Sequence, residues 1–124
     1  MTSKQIYRIT YPNGKIYVGM DLTGDRLYIG SPSLRSVIAD DLGIDPNVFP
    51  KRPLARSTVV DGAEDDYTLS FPNLGLTLRK EILWESDDAS DDEVRSMEME
   101  LIRATRACDP DIGYNRSPRR WIET

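Results

Sequence analysis

Lys4-Gln5-Ile6-Tyr7-Arg8-Ile9-Thr10-Tyr11-Pro12-Asn13-Gly14-Lys15-Ile16-Tyr17-Val18-Gly19 contains two alternating runs on either side of an Asn-Gly pair. Tyr7, Ile9 and Tyr11 fall on one side of a period-two pattern, and Ile6, Arg8 and Thr10 on the other. With the Asn13-Gly14 turn signal between the runs, the stretch predicts a β-hairpin. Tyr7 and Tyr17 are expected across the ladder from each other. Gly19 ends the second strand with a residue that lets another backbone or a phosphate come close.

Outward from the hairpin, Met20 to Asp25 reads as a turn, and Arg26 to Gly30 as a short strand or an extended approach to a helix. Ser31-Pro32 predicts the helix start, with Ser31 as cap and proline at the first position, where its missing donor is not needed. Leu34, Val37, Ile38 and Leu42 form its apolar face and Gly43 its stop. Arg35 lies beside that stripe, so its stem packs while its guanidinium is free to reach an anion. Pro46, Pro50 and Pro53 interrupt any regular element in the following segment, where Lys51, Arg52 and Arg56 form a basic cluster. Thr58 to Val60 and Tyr67 to Phe71 pair as a small hairpin. Leu76 to Trp84 reads as a strand with Leu76, Leu78, Ile82 and Trp84 in phase; Lys80 interrupts that side, either for function or by snorkelling past an edge.

Ser90-Asp91-Asp92-Glu93 has the form of a capping box, which starts the last helix at about Asp91 and gives the acidic first turn a role against the helix dipole. In that helix Val94, Leu101 and Ile102 set Glu98 at the margin of the apolar side, while Glu100 faces outward. A carboxylate at the core margin calls for a partner, a hydrogen bond or a cation. Asp109 to Asn115 turns the chain back, with Asn115 able to fasten a loop through its side chain. Arg116, Arg119, Arg120 and Trp121 form a basic tail suited to phosphate.

The 124 residues suffice for a single domain, here residues 1–124 with a proline-rich insertion at about 44–75. The formal charge of −5 is uneven: residues 1–60 carry +3, 61–98 carry −9 and 99–124 carry +1, and a localised basic face can coexist with net acidity. With no histidine, imidazole catalysis is excluded. Cys108 has no second cysteine to pair with and falls at apolar helical spacing, as a buried thiol does. No leader-like or membrane-length apolar run is present, which sets a cytoplasmic expectation without a membrane partner.

Gln5-Ile6-Tyr7 followed by Tyr17-Val18-Gly19 resembles the paired tripeptides of the GIY-YIG nuclease superfamily. Glu98-Met99-Glu100-Leu101-Ile102 and Tyr114-Asn115 are similar to its downstream motifs, and Tyr28-Ile29-Gly30-Ser31 and Arg79-Lys80-Glu81-Ile82-Leu83 resemble its homing-endonuclease-like branch. The resemblance implies an α/β (α+β) domain with a central, mostly antiparallel three-stranded sheet flanked by helices. It departs at Gln5, where the family has glycine, and at the histidine or tyrosine one turn after the family arginine, since Ala39 follows Arg35 and Gly30 follows Arg26 at that spacing.

What the resemblance implies is a DNA endonuclease that hydrolyses phosphodiesters by water attack at a single Mg²⁺, with Mn²⁺ as a substitute. Its catalytic residues would be Tyr7, Tyr17, Arg35 and Glu98, with Glu98 as the metal ligand. Tyr28, Arg26, Lys80 and Asn115 would be catalytic or supporting. Arg26 is the other candidate for the catalytic arginine. Lys51, Arg52, Arg56, Arg116, Arg119 and Arg120 would meet DNA, and specificity would come from the insertion, from a second copy in a homodimer or from a partner protein. The different reading of the same residues is a catalytically weak module that binds nucleic acid or protein on this scaffold.

Overall fold

The computed structural model describes residues 3–26, 28–30, 32–48, 59–63, 65–71 and 74–116. Strands β1 (Lys4–Thr10) and β2 (Ile16–Asp21) form the expected hairpin. Its loop is a turn over Tyr11 to Gly14 closed by Gly14 N–H to Tyr11 O at 2.9 Å, with Gly14 at φ +86° and Lys15 N–H donating to Asn13 Oδ1 at 3.0 Å. Only Gly14 takes the left-handed conformation, which Asn13 is spared.

Helix α1 (Arg35–Leu42), a short 3₁₀ turn (Pro46–Val48), β3 (Val59–Ala63), β4 (Asp66–Phe71), β5 (Leu76–Ser86) and α2 (Asp91–Thr105) follow. The sheet has five strands in the order β2-β1-β5-β4-β3, with every neighbour antiparallel. This corrects the expectation of three. The extra width comes from β5, which has 11 residues and pairs on both sides: its first half holds β4, and Arg79 to Ser86 pair with β1. Beyond β4, the β3–β4 hairpin finds an open edge and fills it.

A bulge corrects the phase expected along β5. Ile6 pairs with Trp84 and Tyr7 with Ile82, so Leu83 is the extra residue. Ile82 stays with the core of Tyr7, Ile9, Leu69 and Leu78, whereas Leu83 and Trp84 join Ile6, Val18, Val94 and Ile102 on the other face. Each helix closes one face: Ile38 and Ala39 of α1 enter the first cluster, and Val94 and Ile102 of α2 enter the second. Strand β1 is consequently buried on both sides, with Ile6, Tyr7 and Ile9 all at 0% exposure.

The two helix starts compare differently with expectation. α2 begins at Asp91 behind a complete capping box, Ser90 Oγ accepting from Glu93 N–H at 3.1 Å and Glu93 Oε1 from Ser90 N–H at 3.4 Å. α1 begins later than the Ser31-Pro32 signal indicates: Pro32 O accepts from Arg35 N–H at 3.2 Å, Leu34 occupies the cap without a side-chain bond, and Ser31 lies outside the described residues. Gly43 ends it in the left-handed conformation, as expected. Val37, expected on the apolar face, is instead 48% exposed, and Ala39, which was not, is buried. Cys108 is half-buried and packs beside the second cluster. No helix among the described residues is long and apolar enough to cross a membrane.

Candidate functional site

The hairpin register differs from expectation by one two-residue step. Tyr7 pairs with Gly19 and Tyr17 with Ile9, so the two tyrosines are diagonal neighbours on one face. Gly19 is what admits Tyr7: a Cβ there would stand 2.6 Å from the Tyr7 hydroxyl and 2.9 Å from Cε2 of Tyr17. Gly30, at φ +90°, closes from the other side, its notional Cβ 2.6 Å from the Tyr7 hydroxyl and 2.7 Å from Tyr17 Cε2. The spacing of the two Tyr-x-Gly segments thus has a physical meaning. Both glycines are hollows for the same pair of rings.

Tyr7 is fully buried, and its hydroxyl has no partner among the described residues. Burial pushes its pKa far up, with the neighbouring tyrosines adding to the effect. Tyr17 is half-buried and opens on a cleft of about 380 Å³ between β2 and α2, lined also by Val18, Met20, Ser33, Arg95, Glu98, Met99, Ile102, Tyr114, Asn115 and Arg116. Its pKa is raised by burial first and then by the negative charge of Glu98. Tyr17 is therefore a neutral phenol across the physiological range.

Glu98 is half-buried, as its position at the helix margin predicts, and Glu100 is exposed. Burial pushes the Glu98 carboxyl up, and the guanidinium of Arg95, one turn earlier, opposes this. Among the described residues no three acidic or cysteine side chains converge as a metal cluster. The donor set nevertheless fits a hard cation of the magnesium kind, which commonly takes one or two carboxylates and completes its shell with water and substrate phosphate. An open cleft with one oxygen-donor carboxylate leaves room for those other oxygens.

The returning segment locks the cleft wall. Asn115 Nδ2 donates to Val18 O at 2.8 Å while its Oδ1 accepts from Val18 N–H at 2.8 Å, so one amide satisfies both backbone groups of the residue after Tyr17. Ile16 N–H donates to Ile112 O at 3.0 Å and Tyr114 N–H to Ile16 O at 2.9 Å, and Gly113 bridges Ile16 in parallel. Tyr114 then ties three elements: its hydroxyl donates to Asp41 Oδ2 at 2.6 Å and accepts from Asn13 Nδ2 at 2.7 Å. Its pKa is pushed up to about 12, by burial and then by the bond to Asp41.

Lys80 is placed behind the site rather than in it. It is fully buried, and its Nζ donates to the carbonyls of Asp25 and Arg26 at 3.1 Å each and of Tyr28 at 2.8 Å, with the Tyr7 ring centroid 4.7 Å away. The ammonium thus fixes the loop that delivers Gly30 to the tyrosines. Burial lowers its pKa to about 8, with Asp21 and Asp25 opposing and Arg26 adding to the shift. Tyr28 packs edge-on to Tyr7 at 6.2 Å and faces a separate hollow with Asp21 and Asp25.

The arginines divide unexpectedly. Arg35 is exposed on the first turn of α1 and is not among the residues lining the cleft; Arg26 lies over the Tyr67 ring at 4.5 Å and borders a different cavity. The cations that do line the cleft are Arg95 and Arg116. Arg95 was legible only as the i−3 neighbour of Glu98, a spacing that puts both on one side of a helix. Lys51, Arg52, Arg56, Arg119, Arg120 and Trp121 lie outside the described residues. Comparison of the chain with models of known families, with curated proteins and with solved structures gives no match.

Proposed function

We propose that this protein is a DNA endonuclease that hydrolyses phosphodiester bonds at the cleft of Tyr17, Glu98 and Asn115, using one Mg²⁺ or a similar hard cation. The observation that supports this reading most is convergence: three residues widely separated in sequence line one cleft together with Arg95 and Arg116. Glu98 would hold the cation, which when bound supplies Lewis-acid stabilisation of the charge building on phosphate.

The remaining chemistry belongs to the side chains. Arg95 and Arg116 offer guanidinium forks to the nonbridging phosphate oxygens, a role that the resemblance alone would give to Arg35. Tyr17, neutral at physiological pH, orients the attacking water through its hydroxyl and leaves proton removal to solvent. Water oxygen bonds to phosphorus as the bond to the 3′ oxygen breaks, giving a 5′-phosphate and a 3′-hydroxyl that takes its proton from solvent. Tyr7, walled in by Gly19 and Gly30, positions Tyr17, and Asn115 holds the strand beneath it.

The binding-module reading keeps two observations in its favour. Tyr17 is pushed away from the tyrosinate that would act as a base, and Arg35 stands outside the cleft. Incubation of supercoiled DNA at low salt with Mg²⁺ and wild type, Glu98→Ala or Glu100→Ala separates the two. The nuclease reading expects nicking by wild type and Glu100→Ala and none by a folded Glu98→Ala. If all three bind DNA and none cuts it, with Mn²⁺ as well, the protein is a binding module.

A further inference from the structure

The sheet leaves one side of β5 uncovered at its end. Pairing with β4 stops where Asp66 meets Glu81, and one further backbone bond, Ile82 N–H to Asp65 O at 2.7 Å, closes that ladder. β5 runs on to Ser86 with β1 along its other side. Leu83 to Ser86 thus form a strand edge: among the described residues no backbone group bonds to them from the side that β4 has left. At roughly 3.3 Å per residue this edge is about 13 Å long. A hollow of about 480 Å³ opens beside it, lined by Ile82, Leu83 and Trp84 together with Asp65 and Glu85. The three apolar side chains are each only half-buried.

Charge selects what this edge accepts. Asp65 stands where β4 begins, and Glu85, Asp87 and Asp88 follow along the end of β5; all are exposed, and none is in an ion pair among the described residues. The nearby cations are engaged elsewhere. Lys4, across the ladder from Ser86, holds Asp91 at 3.0 Å and the Ala89 carbonyl at 2.6 Å, and Arg26 lies over the Tyr67 ring at 4.5 Å. A second copy of the chain would set these carboxylates against their own counterparts, which opposes pairing of this edge with itself.

An extended segment carrying cationic side chains meets both requirements. Its main chain continues the ladder, its apolar side chains cover Ile82, Leu83 and Trp84, and its cations meet the unpaired carboxylates. We propose that the edge from Leu83 to Ser86 docks an extended basic peptide of a partner protein, added to the sheet as a strand in line with β4. An aliphatic side chain enters the hollow, and Lys or Arg side chains lie against Asp65, Glu85 and Asp87. The inference stands apart from the cleavage reading, whose residues border a different cleft.

The full chain, labelled with ¹⁵N, is titrated at low salt with a capped eight-residue peptide of alternating arginine and valine. Docking predicts saturating shifts centred on the Leu83 to Ser86 amides and slower hydrogen exchange in that stretch. Two further forms of the peptide, N-methylated at every arginine or at every valine, separate strand addition from charge attraction. Only one edge of an added strand faces β5, so one form should lose about tenfold or more in affinity while the other binds as the parent does. Glu85→Gln combined with Asp87→Asn keeps acceptors for Gln5 and Ser3 and should weaken the peptide about fivefold, with an unchanged urea midpoint. Equal affinity for the two N-methylated forms, shifts centred away from β5, or equally tight binding of a peptide of alternating glutamate and valine overturns the proposal. So does a dimer in sedimentation whose formation alone moves the Leu83 to Ser86 signals, since the edge then belongs to a second copy.

Discussion

Replacing Lys80 by methionine tests whether a buried ammonium holds the loop behind the tyrosines. The substitution keeps most of the stem and removes three donors, those to Asp25, Arg26 and Tyr28. The Arg26 carbonyl retains the Tyr67 hydroxyl at 2.6 Å and the Asp25 carbonyl retains the Tyr28 N–H at 3.2 Å, so the loss falls mainly on the Tyr28 carbonyl. A buried polar group left unsatisfied costs about 1–3 kcal/mol, and relief from burying a charge offsets part of the sum. A net loss of about 1–2 kcal/mol is expected from urea unfolding at pH 7, read as a lower midpoint with an unchanged slope. The comparison is Arg79→Met, whose ion pair with Asp66 at 2.6 Å is more than half exposed on the arginine side and should contribute less than about 1 kcal/mol. Equal midpoints for the two variants would refute the loop-anchoring role.

Further outcomes follow from the same geometry. Lys80 sheds its proton near pH 8 in the folded protein and near 10.5 when unfolded, so between those values the unfolded chain holds the extra proton and stability rises with pH; urea midpoints at pH 7, 8.5 and 9.5 should show the rise in wild type and not in Lys80→Met. Above about pH 10 the sign reverses, because unfolded tyrosines ionise while burial keeps Tyr7, Tyr11 and Tyr17 protonated, and stability falls in both proteins. Gly19→Ala and Gly30→Ala should each destabilise by about 2 kcal/mol or more through overpacking on Tyr7, and Tyr7→Phe should recover part of the Gly19→Ala loss while costing less than about 1 kcal/mol alone. Ser90→Ala should lose about 1 kcal/mol by thermal or urea unfolding, as the capping box is complete.

What the sequence made legible was local. The Asn13-Gly14 turn, the Ser90 to Glu93 box and the margin position of Glu98 each depend on residues within a few places of one another, and each is found where the pattern puts it. Long-range pairing was not legible. Whether Tyr7 faces Tyr17 or Gly19 is set by the loop closing at Lys15 rather than at Asn13 itself, and the bulge at Leu83 exists because β5 must serve cores on two faces. Lys80 read as an interruption because its partners are carbonyls more than fifty residues away, which no periodicity records. Arg95 is illegible for the same reason: its i−3 spacing from Glu98 is ordinary on any helix, and only the fold brings it to one cleft with Tyr17 and Asn115.

The central claim is that the cleft of Tyr17, Glu98 and Asn115 is where a hard cation meets DNA phosphate. Paramagnetic broadening measures it directly, by adding substoichiometric Mn²⁺ to the ¹⁵N-labelled Glu98 wild type and to Glu98→Gln in the presence of a short duplex at low salt. The account predicts broadening centred on the amides of Val18, Glu98 and Asn115, lost in Glu98→Gln, with Leu69 and Thr77 sharp in both. Broadening centred instead on the acidic stretch from Asp87 to Glu93, with the cleft signals intact, would contradict it.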